Sequence, residues 1–245
     1  MTKKFLITSI VSASLLFIGF LVVAIILATV DYAPLGVDTA VADWAYSVRG
    51  EQGGATYWFF RIVTEFGYTY FCIAIILIMG IIWRFRSKTW FFAGTILISW
   101  VLQQIIKAIV DRPRPDEALW WMTETSSSFP SGHSITAACV FVLLAYFIIT
   151  SPKVKAWVKW LIGSLSAAAI ILVPISRIIL GVHYLTDVLA GVFFGAFVAV
   201  LGIIAYNLFI HFRDRNKSNK PAPTTTNEQT DKEQDLEQKL ALSDL

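Results

Sequence analysis

Three short polar clusters interrupt an otherwise apolar chain: Lys107 with Arg114-Pro115, then Pro130-Ser131-Gly132-His133, then Ser176-Arg177 with His183 and Asp187. Ionisable side chains cost about 2.5–3.5 kcal/mol each at the centre of a bilayer, so their retention in an apolar chain points to a task. The set supplies cations to hold a polyanion, two histidines for proton transfer or nucleophilic attack, and an acid to orient one of them. That combination reads as phosphate chemistry.

Each cluster also has a plainer reading. Lys107, one helical turn after Gln103, can be a lysine snorkelling at a membrane interface. Asp111-Arg112-Pro113-Arg114-Pro115 ends its helix, because a proline restricts the residue before it and cannot continue the ladder. This brings Lys107 and Arg114 near one point, while the plainer reading of Asp111 and Arg112 is that they simply pair with each other. An arginine fork and a lysine point charge both suit phosphate oxygens. Ser131 can cap the helix that follows, and Gly132 lets backbone approach a ligand at an anion-attracting helix N-terminus. The plain alternative is a cap followed by an interfacial histidine. His183 and Asp187 stand at i, i+4, which predicts one helical face carrying both. They can also merely cap a span. No further His, Cys or carboxylate stands at metal-ligand spacing, so a metal centre is disfavoured.

The elements that must position these residues are membrane spans. The 245 residues are 56% hydrophobic and only 15% charged, and the mean hydropathy is +0.66. Soluble domains run near 25% charged, so the balance indicates an integral membrane protein. The net charge of +3 is too small to argue for nucleic acid. Cys72 and Cys139 fall within apolar runs and are expected as buried free thiols. Hydropathy predicts an all-α bundle of six spans, near 5–30, 57–83, 89–110, 134–150, 156–175 and 184–210. The first is too long for a signal h-region and reads as uncleaved. The second is weakest at its start, where Arg61 and Glu65 interrupt it.

Lys3, Lys4, Arg84, Arg86, Lys88, Lys153, Lys155, Lys159, Arg213 and Arg215 all lie on one side of this plan. The positive-inside rule makes that side, and both termini, cytoplasmic. The loops near 31–56, 111–133 and 176–183 then face outward with the polar clusters, against the charge bias, and an anionic ligand is the simplest reason. Gly50, Gly53 and Gly54 mark a flexible stretch of the first outer loop, and most tryptophans fall near span ends as an aromatic belt. Trp120, Trp121 and Met122 are expected to dip into the interface beside the site. Residues 1–212 form the expected membrane domain. Residues 213–245 read as a polar, disordered cytoplasmic tail.

Lys107-x6-Arg114-Pro115, Pro130-Ser131-Gly132-His133 and Ser176-Arg177-x5-His183-x3-Asp187 resemble the three-part signature of the type 2 phosphatidic acid phosphatase superfamily. The resemblance implies a six-span lipid phosphatase of the cell membrane. It acts on a lipid phosphate or diphosphate such as undecaprenyl diphosphate, phosphatidylglycerophosphate or phosphatidic acid. It implies His183 as the nucleophile that forms a phosphohistidine, Asp187 as its orienting acid and His133 as the general acid. Lys107, Arg114, Ser131, Gly132 and Arg177 then bind phosphate, with no metal or other cofactor, and the partners are the lipid substrate and membrane lipids. Two alternatives remain at this level: phosphotransfer from such a lipid to another acceptor, and an anion-binding or transport protein using the same cations.

Overall fold

A computed structural model describes residues 2–218, and all regular structure among them is helical. The order is α1 (Lys3–Ala28), α2 (Gly36–Val48), α3 (Ala55–Glu65), α4 (Thr69–Trp83), α5 (Ser87–Val110), α6 (Gly132–Ile149), α7 (Ala156–Ile179) and α8 (Leu185–Ser218), with one 3₁₀ turn at Glu117–Leu119. Five of them, α1, α5, α6, α7 and α8, are long and apolar enough to cross a membrane. The pair α3 and α4, bent by 51° at the break between them, makes a sixth if the two are taken as one broken span. The helical membrane bundle expected from hydropathy is thus observed with five or six candidate spans, and the second expected span is broken. The compact unit that holds the site runs to Tyr206, and the residues from Asn207 belong to a second unit. The expected polar tail lies, from residue 219 on, outside the described residues.

Backbone ends are set by local chemistry. Thr2 caps α1 by accepting from the Phe5 N–H. Asp111 ends α5 in the left-handed region, with φ of 40°, and the prolines at 113 and 115 keep the chain extended afterwards. The 31–56 segment differs from expectation. It is not only loop, because Gly36–Val48 folds as α2, whose first turn carries the buried Asp38.

Helix α6 is the most enclosed span. Its Ala137, Cys139, Val140, Leu143 and Phe147 pack with Phe92 of α5, Val173 of α7 and Ile203 of α8 in the main core. Trp83 and Phe92 meet Phe147 edge-on or tilted, with ring centroids 5.3 and 6.4 Å away. Ile7, Leu15, Ile25, Ile81, Ile109 and Leu165 remain outward-facing, as lipid-facing apolar side chains should.

A close crossing joins α8 to the start of α6. A Cβ at Gly191 would lie 2.7 Å from the Ser131 carbonyl oxygen and 2.8 Å from the Ser134 Cβ. Only glycine permits that approach, the small-residue packing on which membrane helices rely. It sets the first turn of α6 beside the first two turns of α8. The ends of α5 and α7, and the turn between α7 and α8, complete the same end of the bundle.

Candidate active site

The loop between α5 and α6 is fixed to this end by several bonds. Trp121 N–H donates to the Leu180 carbonyl (2.9 Å) and Ser128 N–H to the Arg112 carbonyl (2.8 Å). Arg49 donates to the Leu119 carbonyl (2.7 Å) and lies over the Trp121 ring, 4.4 Å from its centroid. Trp121 is buried against Leu180 and Val182. The expected interfacial tryptophan thus turns into the protein, because the Arg49 cation and an apolar wall offer it a partner on each side.

Lys107 and Arg114 converge as the sequence predicts. Lys107 Nζ donates to Ser126 Oγ (3.0 Å) and to the Ser127 carbonyl (2.5 Å). Arg114 Nε donates to the Ser126 carbonyl (2.7 Å), and its Nη2 reaches the same Ser126 Oγ (3.3 Å). Arg114 Nη1 donates to the Val182 carbonyl (2.6 Å) and stands 3.1 Å from His183 Nε2. Arg177, at the end of α7, is fully buried. Its Nη1 meets Thr64 Oγ1 (2.9 Å) and Met122 Sδ (3.0 Å), and its Nη2 bonds the Glu124 carboxylate. The other Glu124 oxygen is 3.5 Å from Arg114 Nη2. One carboxylate therefore bridges the two guanidiniums beside His183.

The state of His183 follows from its neighbours. Arginine has no acceptor, so Nε2 must be unprotonated where Arg114 donates to it, and the neutral ring carries its proton on Nδ1. Burial, then Arg114, Arg177 and Lys107, hold this imidazole well below the ordinary histidine range. Burial also lowers Arg114, to about 10, with Glu124 opposing, which leaves it charged at neutral pH. Nδ1 is 3.4 Å from Ser128 Oγ and 3.5 Å from Asp187 Oδ2. The lone pair on Nε2 thus points to the cations, and the proton on Nδ1 points to the acid. His183 lies in the turn before α8 and not on it, so the single helical face predicted for His183 and Asp187 is a turn followed by a first helical turn.

Behind the histidine stands a buried charge chain. Asp187 Oδ1 accepts from Arg112 Nη1 (2.5 Å). Its Oδ2 accepts from Ser128 Oγ (2.5 Å) and the Tyr184 N–H (2.9 Å). Arg112 Nη2 donates to Asp38 Oδ2 (2.9 Å) and its Nε to the Tyr32 carbonyl (3.0 Å). Asp38 also accepts from the N–H and hydroxyl of Thr186. The plainer Asp111–Arg112 pair does not form: Asp111 stays exposed at the left-handed helix end, and Arg112 turns inward to two buried carboxylates.

The start of α6 is arranged differently from expectation. Ser131 occupies the cap position, but its hydroxyl makes no capping bond. Its Oγ accepts from Ser134 Oγ (3.0 Å), and its N–H donates to the Asp187 carbonyl (3.1 Å). A Cβ at Gly132 would lie 2.5 Å from Gln103 Nε2, so its missing side chain admits a glutamine. His133 packs edge-on against the Tyr68 ring at 4.4 Å, and its Nε2 is buried with no partner among the described residues.

Glu124, Arg112, Asp38, Thr64 and Ser126 to Ser128 are the members that sequence reasoning missed. The doubled Arg-Pro of 112–115 and the serine run before Pro130 were the available signals. Among the described residues no group of His, Cys, Asp or Glu has metal-binding arrangement.

Residues 88–210 match the sequence profile of the PAP2 superfamily. Phosphatidylglycerophosphatase B of Bacillus subtilis (strain 168) is 37% identical over 132 residues, 53% of this chain and 64% of that protein. Undecaprenyl-diphosphatase of Sulfolobus acidocaldarius is 29% identical over 146 residues, 58% of this chain and 66% of that one. The matches thus span less than two thirds of either relative. The crystal structure of a transmembrane PAP2-type phosphatidylglycerolphosphate phosphatase from Bacillus subtilis superposes with a TM-score of 0.67 at 26% identity, covering 86% of this chain and 99% of that one.

Proposed function

Because the chain belongs to the PAP2 superfamily, we propose that it is a membrane-integrated lipid phosphatase working through a phosphohistidine. The observation that carries the reading is the Glu124 carboxylate, held between Arg114 and Arg177 beside the unprotonated Nε2 of His183. A carboxylate bridging two guanidiniums marks where an anion is stable, and a substrate phosphate takes that place with more oxygens to share.

In the first step His183 Nε2 attacks phosphorus, and the bond from phosphorus to the lipid oxygen breaks. His133 gives that oxygen its proton, so the lipid leaves as an alcohol, or as a monophosphate from a diphosphate. Lys107, Arg114 and Arg177 hold the oxygens on which charge spreads, with the helix N-terminus at Ser131 and Gly132 adding donors. Asp187 stabilises the imidazolium that forms. In the second step water attacks the phosphohistidine, His133 takes its proton, and inorganic phosphate leaves as His183 is restored. Three fixed cations supply the charge that a divalent metal supplies elsewhere, so the reaction is metal-independent.

Substrates are lipid phosphates or diphosphates of the kind named for the relatives, undecaprenyl diphosphate and phosphatidylglycerophosphate first, with phosphatidic acid beside them. The Lys/Arg asymmetry of the loops supports an outward site in the cell membrane with both termini cytoplasmic. The purified protein tests this with a panel of these lipids, scored by phosphate release. Turnover in excess EDTA is expected, together with inhibition by orthovanadate. Abolition by EDTA with rescue by Mg²⁺ would refute the mechanism.

A further inference from the structure

The break in the second span stands directly against His133. Helices α3 and α4 are joined through Phe66, Gly67 and Tyr68 and bent by 51°. A Cβ at Gly67 would lie 2.8 Å from His133 Cδ2, 2.9 Å from His133 Cβ and 3.0 Å from Val173 Cγ1. The Cβ of His133 is carried by the α6 backbone, so it cannot swing aside as the end of a flexible side chain could. The next residue, Tyr68, sets its ring edge-on to the imidazole, 4.4 Å away and 79° between planes. Thr64, in the last turn of α3 just before the break, accepts from Arg177. Contact on two sides leaves the ring little rotational freedom, while its Nε2 keeps no protein partner. A buried polar atom without a partner is costly unless a ligand completes it.

We propose that Gly67 and Tyr68 are positioning residues for the general acid: the helix break is a wall that fixes the His133 ring with Nε2 aimed at the leaving oxygen. This rests on the reading of His133 as that acid. The break lies outside residues 88–210, so this chain's reaction depends on a segment beyond the part matched to the superfamily. A glycine at a helix contact also serves plain close packing, and the leaving group separates the two roles. General acid catalysis contributes roughly 10²–10⁴-fold, and it matters little where the leaving group is acidic enough to depart unprotonated.

The test compares Gly67→Ala, Tyr68→Leu, Tyr68→Phe and His133→Ala with the parent protein in detergent, on phosphatidylglycerophosphate and on p-nitrophenyl phosphate. Gly67→Ala and Tyr68→Leu are expected to lose tenfold or more on the lipid, approaching the loss in His133→Ala, with a several-fold smaller loss on the aryl ester. Tyr68→Phe keeps the ring and is expected to stay within about twofold of the parent on both. Equal fractional losses on the two substrates in Gly67→Ala and Tyr68→Leu, with a leaving-group difference in His133→Ala, would overturn the inference while sparing the general acid. No leaving-group difference in His133→Ala would remove the general acid and the inference with it. If Gly67→Ala does not accumulate, Tyr68→Leu alone decides by the same ratio.

Discussion

Arg112 and Arg114 stand two residues apart, each followed by proline, and carry the same guanidinium. Their surroundings are opposite. Arg112 is closed on every side by Asp38, Asp187, Thr186 and backbone carbonyls, with no exposure on itself or its two acids. Arg114 has backbone partners too, but its side-chain partners are His183, the Ser126 hydroxyl and the partly exposed Glu124. A guanidinium saturated by buried carboxylates holds structure and sets the acid behind His183. One that keeps a displaceable partner is, in the proposed mechanism, available to substrate. Sequence motifs register both as Arg-Pro, and only the partner set tells them apart.

The largest expected effect tests that division directly. Arg112→Ala leaves Asp38 and Asp187 buried without their cation, a loss of about 3–5 kcal/mol. The variant should fail to accumulate or should melt far below the parent in detergent. Arg114→Ala should fold with a near-parental melting temperature and lose about 10²–10³-fold in kcat, the range for removing one preorganised donor. A stable Arg112→Ala, or an Arg114→Ala that unfolds, would break the comparison.

A second measurement sharpens the electrostatics. In the proposed mechanism the nucleophile works as neutral imidazole, and burial with the neighbouring cations holds His183 well below the ordinary histidine range. As pH falls, kcat/KM should therefore hold until the lowered value is crossed and His183 protonates. Arg114 is the leading charge in that lowering, so Arg114→Gln should move the acid limb upward towards the ordinary range. An acid limb that stays put in Arg114→Gln would place the controlling group elsewhere.

The smallest expected effect concerns Glu124. Glu124→Gln removes a charge that competes for Arg114 and Arg177, so orthovanadate should bind about tenfold tighter, roughly 1.4 kcal/mol. Weaker binding would mean that Glu124 holds the guanidiniums in place more than it competes for them.

Much of this was legible beforehand because its signal is local. Hydropathy marks the spans, and Lys107, Arg114, Arg177, His183 and Asp187 meet at one end because they sit at successive helix ends. What escaped is long-range. Asp38 and Asp187 reach Arg112 across 74 and 75 residues, and no spacing rule favours them over the adjacent Asp111. Helix α2 was hidden in a segment that looked like a polar loop. Glu124 lies in an irregular stretch without period, so nothing ties it to the two arginines. The break at Gly67 showed only as a weak start to the second span. There Arg61 and Glu65 pair at i, i+4, a polar interruption whose geometry hydropathy cannot express.

In the proposed mechanism His183 Nε2 becomes bonded to phosphorus. Rapid quenching of the purified protein during turnover of a lipid labelled in its phosphate tests it most directly. Acid-labile, base-stable label is expected on the peptide containing His183, and no label in His183→Ala. Turnover without any trapped label, or label that persists in His183→Ala, would contradict it.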